Sequence, residues 1–187
     1  MAKMEITAGR KRRRYLFGAF VTDRKGATAV EFGLVAAPFL AILVALIQTF
    51  LIFFAQGQLE SVARQTGRLI MTGQVQSQQL TASAFQQTVC NLGSLLFSCA
   101  GLMVDVQVAG SWASANAGTP TLTFNGQGQV QNAWQFNPGN AGDIVVVRVM
   151  YLWPVFFGPI AFNLANEANG THLIMASAAF QNEPAIP

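Results

Sequence analysis

The sequence predicts an α+β fold: a long N-terminal helix followed by a small antiparallel sheet packed on one or two helices. Three observations carry that expectation. Phe32 to Ala55 form a run of 24 residues without a charge, an apolar stripe at helical spacing continues beyond it, and later segments alternate or run apolar at strand length. At 187 residues the chain suits one domain with an appendage and is too short for a multidomain enzyme. Charged residues make up 10% and apolar residues 52%, with a mean hydropathy of +0.38. An average soluble domain carries about 25% charged residues, so disorder and a long charged coiled coil are excluded.

The net charge of +3 is unevenly placed. Residues 1–26 carry eight Lys and Arg against two acids, whereas residues 27–187 carry three Arg against six acids. The pI near 9.2 therefore describes a short basic head. The broad positive face that nucleic acid needs is missing, and no nucleic-acid partner is expected. With one His and two Cys, a His-based or mixed-ligand zinc site is close to unavailable. No metal, cofactor or small-molecule substrate is expected.

The uncharged run from Phe32 to Ala55 exceeds the roughly 20 helical residues that cross a bilayer core of about 30 Å. It is too long for the apolar region of a cleaved secretory signal, and no small-residue cleavage pattern follows it. The basic cluster Arg10 to Arg14 and the pair Arg24, Lys25 precede the run, and only Arg64 and Arg68 follow closely. The positive-inside bias places the N-terminus in the cytoplasm and everything after about residue 56 outside. A basic arm for nucleic acid is the alternative reading of the cluster, although a cytoplasmic anchor is its ordinary meaning beside a membrane span. Beyond the span, Leu59, Val62, Ala63, Thr66, Leu69 and Ile70 recur at offsets of three and four, which predicts one helix running on to Thr72-Gly73. Pro38 removes one backbone hydrogen bond and is expected to bend the helix.

In the outer part, Thr81 to Phe97 is helix-compatible, with Phe85, Val89, Leu92 and Leu96 at helical spacing. Leu102, Val104, Val106 and Val108 alternate with Asp105 and Gln107, as in a half-buried strand with its polar side chains toward solvent. Leu122 to Val130 reads as a hairpin arm interrupted by Gly126 and Gly128. Ile144 to Tyr151 and His172 to Phe180 read as strands.

Cys90 and Cys99 lie nine residues apart on what the topology makes the oxidising side, where exported domains commonly pair cysteines. Nine residues of straight helix span about 13.5 Å, beyond the roughly 7 Å that a disulfide allows between Cα atoms. A disulfide thus requires the chain to turn near Gly93 or Ser98; two buried free thiols are the alternative. His172 could serve as a hydrolase base, yet no nucleophile-elbow pattern accompanies it and a strand edge is the simpler place. Asn169-Gly170-Thr171 matches a glycosylation sequon and reads equally as a turn. Gly126 to Gln129 lacks the strand, helix and Lys of a phosphate loop. Tyr151, Trp153, Phe156, Phe157 and Phe162, interrupted by Pro154 and Pro159, read as core or as an exposed docking patch, with core preferred.

Glu31 stands at the mouth of the apolar run, where an acid within the membrane costs about 2.5–3.5 kcal/mol on insertion scales. Headgroup depth and the helix N-terminus would both suit it. The string around it carries more: basic residues, then Gly26, four small or apolar residues, Glu31 and the aromatic Phe32. This string resembles a type IV prepilin processing site, most closely the Flp type. The resemblance implies cleavage of Gly26–Ala27 on the cytoplasmic side by a membrane-embedded prepilin peptidase, leaving Ala27 with a free amine. An amine and a carboxylate at the edge of an apolar helix attract strongly at low dielectric, so Glu31 is expected to pair with the Ala27 amine of its own or a neighbouring subunit.

Flp major pilins are much shorter than this chain. Over most of its length from Arg24, the chain is similar to the TadE/TadG-like minor pseudopilins of the tight adherence pilus system, particularly the TadE type. The resemblance rests on GATAVEFGLVAAPFL, then ARQTGRLIMTGQ, then VC and SCAGLMVDV, a late apolar strand with Tyr151, and the closing SAAFQNEP. It implies a basic cytoplasmic leader over 1–26, a transmembrane and extended pilin-like helix over 27–72, and a periplasmic α+β domain over 73–187. The chain would be a single-pass inner-membrane protein without a catalytic residue, acting in pilus assembly, adhesion and biofilm formation. Its implied partners are the membrane, the prepilin peptidase, other pilins and pseudopilins, and the assembly machinery. The leader is long for the Flp type, and Phe32 replaces the more usual Tyr. Two rivals remain: an unprocessed signal-anchored envelope protein, and an envelope enzyme on the same anchor, which the scarcity of His and clustered carboxylates disfavours. A Glu31→Ala variant is expected to be cut normally but to assemble poorly, read as mature chain in the membrane with few sheared pili; normal piliation would remove the pairing argument.

Overall fold

The computed structural model describes residues 26–115, 118–155 and 163–184. It is an α+β structure in which one long helix is followed by short helices and a three-stranded antiparallel sheet. The chain divides into two compact units, Met1–Val44 and Ala45–Pro187.

Within the first unit, the described residues from Ala27 onward are the opening of helix α1, Ala27–Met71. Val30, Phe32, Leu34, Val35, Phe39 and Leu40 are exposed along it. Pro38 lies inside the helix and does not end it.

The second unit is built on the remainder of α1. Leu59, Val62, Ala63, Thr66 and Ile70 are buried, while Leu69 lies at the margin of the stripe. Glu60 and Arg64 share a solvent-facing ion pair, 3.7 Å apart. The helix stops where the sequence suggests: Thr72 and Gly73 donate to the carbonyls of Arg68 and Ile70, and Gly73 adopts φ 71°, which glycine reaches without steric cost. The Gln-rich stretch then forms a single turn, α2 (Gln74–Ser77), held by buried Val75.

Helix α3 (Ala82–Gly93) is capped by Thr81, whose Oγ1 accepts from Ala84 N at 3.3 Å. It ends four residues before the Phe97 boundary that the apolar spacing predicts. At Gly93 the chain turns back, with Leu96 N and Phe97 N both donating to the Gly93 carbonyl. A Cβ at Gly93 would lie 3.1 Å from the Phe97 ring, so the glycine is what lets that ring fold into the core. Phe85, Val89 and Phe97 are buried, whereas Leu92 is exposed and Leu96 only partly covered. The same turn brings Cys99 back to Cys90, and the two form a disulfide with Cα atoms 5.2 Å apart.

Strands β1 (Leu102–Ala109), β2 (Ile144–Pro154) and β3 (Thr171–Gln181) form a meander in sequence order. Leu102, Val106, Val145, Val147, Val149, Ile174 and Ala176 face the helices. The opposite face carries Met103, Met150 and Leu173, packed with Leu122, Phe124, Val130 and Trp134 from the segment after β1. That covering corrects the reading of β1 as half-buried. The predicted arm from Leu122 to Val130 contains one isolated bridge, Phe124 with Val130, in place of strands. Asn125 N donates to the Gln129 carbonyl and Gln131 N to the Thr123 carbonyl across it, and Asn125 Oδ1 accepts from Gln127 N and Gln129 N at its tip. Farther on, Val106 N donates to the Gln135 carbonyl and Asn137 N to the Val106 carbonyl, closing the free edge of β1.

Under this covering layer lies an ion pair. Asp105 and Arg148 are cross-strand partners, and Arg148 Nη2 is 2.7 Å from Asp105 Oδ2 with both side chains less than a tenth exposed. Asp105 Oδ1 also accepts from Gln135 N, and Oδ2 from Gln107 Nε2. The expectation that Asp105 faces solvent fails because residues 118–136 fold over that face.

Two stability predictions follow from this packing. Asp105→Ala or Arg148→Ala alone is expected to cost about 3–5 kcal/mol, because each leaves a buried charge unpaired. Asp105→Leu with Arg148→Met is expected to recover most of that loss, measured by denaturant unfolding of the full chain in mild detergent. Cys90→Ala with Cys99→Ala is expected to cost about 2.5 kcal/mol in the chain-entropy model. The same unfolding assay, compared with reductant-treated protein, checks it.

Candidate processing and assembly segment

The opening of α1 is shaped by small residues. Gly26 is exposed and precedes the helix, and a Cβ built on it would meet nothing within 4 Å. Ala27, Thr28 and Ala29 follow as the first helical residues, all exposed. The Gly26–Ala27 peptide is thus unobstructed by the described residues around it.

Glu31 lies four residues after Ala27, one helical turn, so the two occupy the same helix face. Its side chain is exposed and has no hydrogen bond or ion pair among the described residues. In the intact chain the Ala27 nitrogen is an uncharged peptide group, and the amine that Glu31 could neutralise exists only after hydrolysis. A positive amine at a helix N-terminus opposes the helix dipole, and a carboxylate one turn away offsets that opposition. Phe32 follows at 75% exposure.

Large apolar side chains are exposed along the helix as far as Phe54, on every side up to Val44 and thereafter on the faces away from buried Ala45, Gln48 and Ile52. A helix apolar on every side is stable only when something apolar surrounds it. This helix is long and apolar enough to cross a membrane, judged by length and composition.

The other described sequence candidates belong to the Ala45–Pro187 unit. Cys90 and Cys99 close a loop between α3 and β1. His172 is in β3, its Nδ1 against the Leu164 carbonyl. Asn169-Gly170-Thr171 forms the turn before β3, with Asn169 Oδ1 accepting from Thr171 N and Oγ1. Tyr151 and Trp153 pack on the core around Phe97, with ring centroids 5.1 and 6.5 Å from it. Phe156, Phe157 and Phe162 lie outside the described residues, as do Arg10 to Arg14, Arg24 and Lys25. Among the described residues, no three His, Cys, Asp or Glu side chains cluster as a metal site would require.

Sequence reasoning missed the Asp105–Arg148 pair. The signal was present: Arg148 is the lone charge in Ile144–Pro154 and Asp105 the lone charge in Leu102–Ala109. Two solitary opposite charges within two apolar strands are a reason to test the register that joins them.

Neither a curated protein nor a solved structure matches the chain. Residues 26–68, from the glycine before α1 through most of the buried helical stripe, match the family model described as TadE-like protein.

Proposed function

We propose that the chain is a minor pseudopilin of a tight adherence (Flp, type IVb) pilus, cut by a prepilin peptidase at Gly26–Ala27 and acting by assembly. The observation that carries this reading is where the family match begins. It opens at Gly26, the residue that a processing site would place on the leader side, and runs along the helix that would be the assembly surface. The functional segments are then a leader over 1–26, an anchoring and packing helix over 27–72, and an exported domain over 73–187.

The physical sequence is short. Basic residues hold the leader in the cytoplasm while the apolar helix sits in the inner membrane. Hydrolysis at Gly26–Ala27 creates the amine, and Glu31, one turn away, becomes its counter-ion in the same or a neighbouring subunit. The small residues Ala27, Thr28 and Ala29 allow helices to approach closely, and the exposed apolar side chains beyond them exchange lipid contact for contact with other subunits. Except for its first turns, the Ala45–Pro187 unit would remain on the periplasmic side, an oxidising compartment that suits the Cys90–Cys99 disulfide. Adhesion and biofilm formation would follow from the assembled pilus.

The test is intact mass and N-terminal sequencing of the membrane-extracted protein, with and without a co-expressed prepilin peptidase. A peptidase-dependent start at Ala27 is the expected result. A leader retained in both samples would favour the signal-anchored envelope protein and leave Glu31 as a helix-end acid.

A further inference from the structure

We propose that the disulfide-closed loop between α3 and β1 is a lipid-binding element that dips into the outer headgroup layer of the bilayer that α1 crosses. This inference rests on the membrane-spanning reading of α1 and adds to it a second contact. The loop's composition is the first observation. From Cys90 to Val104 there is no charged residue, and Leu95 is 97% exposed at the tip, beside exposed Leu92. Of the leucines in this disulfide-closed loop, Leu92 and Leu95 face outward while Leu96 packs partly on the core.

Position is the second observation. Leu92, Leu95 and Leu96 line one recess of about 100 Å³ with Phe54, Gln58 and Val62 of α1. Phe54, Gln58 and Val62 are successive i, i+4 positions, so the loop stands over one face of the helix at the level where its uncharged run ends. Phe50 and Phe53 are exposed on the adjoining turns, and Phe50 stacks on Phe54 with centroids 6.2 Å apart. The apolar surface of the helix therefore continues onto the loop without a charge between them.

Distance along the helix fixes the depth. A bilayer adds about 5–8 Å of headgroup region on each side of its hydrocarbon core. If the core ends at Phe54, Gln58 lies about 6 Å farther out and Glu60 about 9 Å. The recess runs from the level of Phe54 to that of Val62, about 12 Å farther out, so the loop spans the headgroup layer and reaches the level of the solvent-exposed Glu60–Arg64 pair, which marks the water side. That interval is where apolar loop and helix faces insert into a lipid interface. Tyr151 and Trp153, packed under Phe97, are the aromatic types enriched at this depth.

The test uses the full-length chain, one copy per nanodisc of phosphatidylethanolamine and phosphatidylglycerol. Nitroxide labels are placed at Leu95→Cys, at Leu40→Cys within the span, and at Gln127→Cys on an exposed turn, with Cys90 and Cys99 left bonded. Accessibility to oxygen relative to a water-soluble nickel chelate reports depth. The ratio at position 95 is expected to be several-fold above that at 127 and below that at 40. Nickel access at 95 equal to that at 127, with position 40 still in lipid, overturns the loop's role and leaves the span standing. Water access at position 40 overturns both. Exclusion of both reagents from position 95 marks a protein contact and also overturns the lipid assignment. A lipid bearing a diazirine headgroup, applied to the unsubstituted chain, is expected to attach within residues 91–98; attachment confined to the span would overturn the proposal without any substitution.

Discussion

Burial of Leu59, Val62, Ala63, Thr66 and Ile70 beneath the sheet is the contact on which the Ala45–Pro187 unit depends. Fully removing side chains such as Leu59, Val62 and Ile70 from water contributes about 1.5–3 kcal/mol each, and β2 and β3 supply the surface opposite. The helix and β3 keep step along their lengths. Gln56 Nε2 donates to the Met175 carbonyl, Gly67 approaches Ala178 and Phe180, and Glu183 N donates to the Met71 carbonyl. From Gln56 to Met71 the helix rises about 22 Å, and Met175 to Glu183 extends about 26 Å. The two elements therefore run together, with matched contacts at both ends.

With one face of the sheet committed to helices, its other face determines how much polar chain the unit can hold. Residues 118–136 cover that face with few backbone ladder bonds. Amide side chains supplement these: Asn132 Oδ1 accepts from Thr123 N, and Asn132 Nδ2 donates to the Thr121 carbonyl. Asn182, itself buried, donates to the carbonyls of Pro138 and Asn140. A chain with so few charges solves its loops with Asn, Gln and Ser. The Asp105–Arg148 pair is the exception, and the covering segment is what makes it buried.

Much of this was legible in the residues. The stripe from Leu59 to Ile70, the stop at Thr72-Gly73 and the strands around Val106, Val147 and Ala176 follow from periodicity and one glycine. What periodicity does not encode is what lies on the far side of a strand. The alternation of β1 correctly separates Val106 from Asp105, yet whether Asp105 meets water depends on a loop arriving from residues 118–136. The apolar spacing of Phe85, Val89, Leu92 and Leu96 similarly continues past the true end of α3, because Gly93 and Phe97 stop the helix through a tertiary contact. Gly26, Ala27, Glu31 and Phe32 were singled out from a short linear string, to which the structure adds that Ala27 and Glu31 share one helix face.

The buried half of α1 also sets an order of events in folding. This template is the first part of the Ala45–Pro187 unit to be synthesised, and each later piece finds its neighbour already in place: α3 on the helix, β1 after α3, β2 beside β1, β3 beside β2. Every strand pairs with the one made just before it, so no strand waits for a distant partner. Residues 135–137, which bond the outer edge of β1 at Val106, precede β2 in the chain. A chain with so apolar a composition is exposed to mispairing at its sheet edges, and here the strands are joined in the order in which they are made.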